Sequence, residues 1–141
     1  MNRERAIEIS YFLLRVAAGL IFFQAGCLIV LGWFGGMPGA AGSTAPLMSQ
    51  TGIGGLLELV GGIAIVLGLF TRPIAFILSG EMAVAYWQFH APKAFWPVQN
   101  QGAPAVLFCF IFLYMAAQGA GDWSLDSMIR RKRGAAEDRA G

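Results

Sequence analysis

Residues 56–87 read LLELVGGIAIVLGLFTRPIAFILSGEMAVAYW. Two apolar runs flank a short corner, and each run carries one carboxylate, Glu58 or Glu81. An ionisable group inside a membrane helix costs about 3 kcal/mol or more unless it is paired or faces a cavity. The pattern predicts two membrane helices joined tightly. Thr71-Arg72-Pro73 is the expected turn. The residue before a proline is pushed out of helical geometry, and Pro73 suits the first turn of the next helix.

Composition extends this reading to the whole chain. Of 141 residues, 57% are hydrophobic and 13% charged, where a soluble domain carries about 25% charged residues. This is the membrane class. The net charge of +2 gives no footing for nucleic-acid binding. Two cysteines are too few for a disulfide framework. Glu4 and Glu8 sit where a signal peptide would be basic, and the apolar run after them is too long for one.

Across the whole chain four spans are expected, at about 9–31, 53–70, 74–89 and 104–117. The loop over 32–51 is rich in Gly, Pro and Ser, and a polar-aromatic loop covers 90–102. Four spans place both termini on one side. Arg3, Arg5, Arg72 and Arg130-Arg131-Lys132-Arg133 then share that side, against Lys93 on the other. The positive-inside rule makes it cytoplasmic. The expected fold is an all-α, four-transmembrane-helix bundle over residues 1–126, followed by a basic, flexible cytoplasmic tail over 127–141.

Gly54, Gly61 and Gly68 recur every seven residues and share a helix side with Glu58. Glu58 is therefore expected to point into the bundle. Counted from the expected span ends at about 1.5 Å per residue, Arg15 lies roughly 9 Å deep, Glu81 roughly 11 Å and Glu58 roughly 18 Å. Arg15 and Glu81 share a layer and are expected to form a buried ion pair. Glu58 has no cation at its level and is expected as a neutral carboxyl that donates a hydrogen bond. Cys27 and Cys109 are expected as small buried hydrophobes rather than a disulfide. His90 is the sole histidine and has no ligand set around it, so no metal site is expected.

The pattern resembles the DoxX family of small bacterial membrane proteins over nearly the whole chain. The residues that carry the resemblance begin with Leu14-Arg15 and Gly19, then Gly26 and Gly32-Trp33-Phe34-Gly35-Gly36. Glu58 with Gly61-Gly62, Gly68-Leu69-Phe70-Thr71-Arg72, and Glu81 with Ala85-Tyr86 come next. His90, Phe95-Trp96-Pro97, Asn100-Gln101-Gly102 and Trp123-Ser124-Leu125-Asp126 complete the series. The chain departs from the pattern at Ala25-Gly26 and Leu28-Ile29, where many relatives resemble His-Gly followed by Gln-Lys. It departs again at Asn100-Gln101-Gly102-Ala103, where they resemble Asn-Gly-Gly-Glu. Several outer polar groups are thus missing.

The resemblance implies an integral, multi-pass inner-membrane protein linked to quinone-coupled sulfur oxidation. The leading expectation is an accessory or quinone-facing subunit of a membrane redox system, not a stand-alone enzyme. It would hold a small apolar or quinone-like molecule near Glu58, His90, Trp96 and Asn100, with no intrinsic cofactor. Expected partners are the lipid bilayer and a larger redox complex or a second copy. A non-catalytic subunit packed against a larger complex is the second reading, and a small-solute carrier the third.

Overall fold

The structure, a computed structural model, describes residues 2–140. Met1 and Gly141, the outer limits of the two expected segments, lie outside the described residues. The protein is all-helical, with α1 over Arg3–Gly26, α2 over Gln50–Leu67, α3 over Thr71–Ala85, α4 over Ala103–Gln118 and α5 over Leu125–Ala140. Two of the helices continue as π-helical turns, α1 through Cys27–Leu31 and α3 through Tyr86–His90. The stretch Arg3–Leu31 and helix α2 are long and apolar enough to cross a membrane, while α4 is apolar but shorter.

Much of the outer surface of the helices is apolar. Leu13, Leu20, Ile21, Val60, Phe76, Leu107 and Phe110 are all exposed. Water would penalise such a surface, and acyl chains would not. The core gathers Phe22, Ile65, Leu78, Phe112 and Met115.

Packing is uneven. Helix α1 lies along α2, and α3 along α4, whereas α2 and α3 meet at far fewer points. Small residues explain the first contact. A Cβ at Gly19 would stand 2.8 Å from the carbonyl oxygen of Gly62, so the α1 and α2 backbones touch. Gly61, one residue earlier, instead faces Leu78 of α3. Helices α1 and α4 meet through large rings, with Phe22 edge-on to Phe112 at 4.6 Å between centroids.

The corner sits three residues earlier than Thr71-Arg72-Pro73, which is the first turn of α3 rather than the turn itself. Gly68 adopts a φ of +67°, and α2 closes in a Schellman motif. The Leu69 amide donates to Ala64 O at 2.9 Å and the Gly68 amide to Ile65 O at 3.2 Å. The tail also differs from expectation. It is helical from Leu125, because the first turn of α5 is bound to this corner through Asp126 N donating to Gly68 O at 2.9 Å.

Candidate functional site

The position of the corner sets the level of the two carboxylates. Glu58 lies nine residues before the end of α2 and Glu81 ten after the start of α3. At about 1.5 Å per residue both stand roughly 14–15 Å from the corner. They are therefore level, and they line one groove between α2 and α3. Its walls include Ile53, Leu57, Ile77, Met82, Val84 and Phe89, around a volume of about 510 Å³. Gly54 leaves room for the Glu81 head, since a Cβ there would stand 3.0 Å from Glu81 Oε1.

The Oε2 atoms of both Glu58 and Glu81 are buried without a hydrogen-bond partner. Among the described residues no cationic side chain lines the groove. Gln50 and Thr51 add polar groups at the end away from the corner. There Gln50 donates from its amide nitrogen to Gln88, linking the two walls. Two carboxyls with spare oxygens in an apolar groove can donate or accept hydrogen bonds to a guest, depending on protonation.

Arg15 and Glu81 do not form the expected pair. The Arg15 guanidinium turns to the corner, where Nη1 donates to Ile65 O at 2.6 Å and Val66 O at 2.8 Å, and Nη2 to Trp123 O at 2.6 Å. It neutralises the carbonyl end of α2 in place of a carboxylate, and the negative end of the helix dipole supplies the attraction. Only its Nε lacks a partner. Arg72 does the same for α4, donating to Ala117 O at 2.9 Å. Asp126 completes this end by accepting from the amides of Phe70 and Thr71 at 2.8 and 3.0 Å, which caps α3.

His90, Trp96 and Asn100 are not brought to Glu58. The Asn100 side chain is buried, accepts from Gly102 N at 2.8 Å and donates to Ala94 O at 3.0 Å. The Asn100 backbone carbonyl meets His90 Nδ1 at 3.0 Å. These two residues hold the 91–102 loop against the end of α3. Trp96 is exposed and stacks edge-on against Phe95. Both cysteines are free. Among the described residues, no group of three His, Cys, Asp or Glu side chains could hold a metal ion.

Glu81 is the groove residue that sequence reasoning assigns elsewhere. The signal that finds it is Gly68, a helix-ending glycine that moves the corner and so the count of depth. Gln50 and Gln88 carry no such signal, because polar residues are ordinary at helix ends.

Helices that are apolar on the outside, a core knit by glycines and rings, and a carboxyl-lined groove define a small helical membrane protein. The DoxX family model matches residues 10–91, and the chain belongs to the DoxX family. The match spans Arg15, Glu58, Glu81 and His90 and ends before Trp96 and Asn100. An uncharacterized protein of Haemophilus influenzae is 39% identical over 127 residues, covering 86% of this chain and 93% of the relative. The inner membrane protein YqjF of Escherichia coli K12 is 27% identical over 138 residues, covering 89% of this chain and 95% of its own. No solved structure matches the chain.

Proposed function

We propose that this DoxX-family protein crosses the bacterial inner membrane four times, with both termini in the cytoplasm, and holds a small apolar or quinone-like molecule in the α2–α3 groove. In this reading it serves a membrane redox system as an accessory or quinone-facing subunit. The observation that carries the proposal is the pair of buried, unpartnered carboxyl oxygens of Glu58 and Glu81 on apolar walls. A leftover buried polar atom costs about 1–3 kcal/mol, which a bound head group would recover. A quinone-like ring offers carbonyl oxygens to a protonated carboxyl, and its apolar tail suits Ile53, Leu57, Ile77 and Val84. A groove of about 510 Å³ also falls in the usual range for small-molecule sites, roughly 300–1,000 Å³. Inner-membrane placement is supported by the family and by YqjF. The orientation is supported by the arginines gathered at the corner end.

Extraction in mild detergent followed by mass spectrometry of co-purifying small molecules tests the reading. Wild type and Glu58→Gln, which keeps a donor, should retain the same quinone-like species. Glu58→Leu should fold and release it. Undiminished retention by Glu58→Leu would sink the groove as the binding site. Reporter fusions at Gly42 and Ala94 should read periplasmic, and a cytoplasmic signal at Ala94 would overturn the four-span topology.

A second reading, a non-catalytic subunit packed against a larger complex, draws on the exposed aromatic residues Phe34, Phe95 and Trp96 in the loops away from the corner. A stoichiometric protein partner in the same purification, with an empty groove, would select it.

A further inference from the structure

We infer that α5 lies on the membrane surface at the corner end, its basic residues bound to anionic phospholipid head groups. The inference rests on the membrane placement proposed above and not on the groove or its guest. It starts from how firmly the helix is rooted. Asp126 is held by the corner from both its amide and its carboxylate. Ser127 is buried and donates from its hydroxyl to the carbonyls of Asp122 and Ser124. The first turn of α5 cannot swing freely, so the rest of the helix leaves the bundle in a set direction.

Beyond that turn nothing among the described residues covers the helix. Arg130, Arg131, Lys132 and Arg133 are all exposed. Met128 is 53% exposed and Ile129 40%, and the preceding Trp123 is 52% exposed. At about 3.6 residues per turn, Leu125, Met128, Ile129, Lys132 and Ala136 share one face, with Ser127, Arg130 and Gly134 toward the opposite side. Arg131 and Arg133 flank the apolar strip on either side. A narrow apolar ridge edged by cations, with a lysine long enough to reach past it, is the pattern of a helix at the boundary of head groups and acyl chains. Few acids compete for these cations. Asp126 is occupied by the amides of α3, and Glu137 lies a turn beyond the cluster. Four adjacent cations outnumber the acids one turn to either side, Asp126 and Glu137, and complement an anionic lipid surface, where each adds to the attraction.

The full-length protein in lipid nanodiscs provides the test, read by amide hydrogen exchange over residues 128–137. In phosphatidylcholine discs containing phosphatidylglycerol these amides should exchange about tenfold more slowly than in pure phosphatidylcholine discs. High salt should abolish the difference. The variant R130Q/R131Q/K132Q/R133Q keeps helix propensity and should exchange at the neutral-disc rate in both. M128S/I129S keeps the charge and should lose part of the protection. Equal exchange of wild type in the two discs would overturn the inference, as would protection that survives removal of all four cations. Protection that requires an added acidic protein instead of the anionic lipid would also overturn it.

Discussion

Arg15 and Glu81 are both ionisable residues in the middle of apolar helices, yet their surroundings differ in kind. At the corner end, the two terminal nitrogens of Arg15 reach three carbonyls, Arg72 caps α4, and Asp126 caps α3. In the seam between α2 and α3, Glu58 and Glu81 each keep a buried oxygen without a partner. The first region directs its charge to backbone groups that every helix end leaves bare. The second holds polar groups that nothing among the described residues satisfies. Charge in an apolar helix is thus structural at one level and available at another about two or three turns away.

Substitutions with opposite expected signs put this contrast at risk. Arg15→Leu should have the largest effect, a loss of about 3–5 kcal/mol in thermal or denaturant unfolding in detergent, because three carbonyls, one fully buried and two partly so, lose their donor. Combined with Glu81→Leu, its cost should add to within about 0.5 kcal/mol, as for residues that share no partner. Rescue by the second change beyond what Glu81→Leu gains alone would restore the ion pair that the structure lacks.

Asp126→Ala removes the acceptor for two amides at the start of α3 and should cost about 1–2 kcal/mol by the same measurement. In the seam the sign should reverse. Glu81→Leu should raise stability by about 1 kcal/mol, since an apolar group replaces an unsatisfied buried oxygen. A fall of that size would mean that Glu81 has a partner in the folded protein. Gln88→Leu should matter least, within about 0.5 kcal/mol, because its bond to Gln50 is exposed. A larger loss would show that the hairpin is held at both ends.

Much of the fold is legible from apolar run length alone. All four expected spans overlap helices, and the loop after α1 falls where Gly, Pro and Ser collect. The displaced corner has a specific cause. Pro73 is the louder signal, but proline is tolerated in the first turn of a helix, so Gly68 decides where α2 ends. That displacement of three residues separates Glu58 and Glu81 in the depth count, although the folded chain holds them level. The partner of Arg15 is hidden for another reason. Carbonyl groups carry no letter in the sequence, so a charge satisfied by a helix end looks unpaired. His90 and Asn100 do meet in the fold, but a buried asparagine holding backbone groups has the same letters as one that binds a guest.

The Arg15 cluster joins parts of the chain that a ribosome makes far apart in time. Arg15 and the end of α2 emerge early, whereas Trp123 and Asp126 come only after α4. A chain built from its N-terminus must therefore hold α1, α2 and α3 in place with Arg15 short of one acceptor and the amides of Phe70 and Thr71 uncapped. The segment Trp123–Asp126 is the closing latch, and a transcript cut just after α4 would encode every apolar helix while lacking the piece that fastens them.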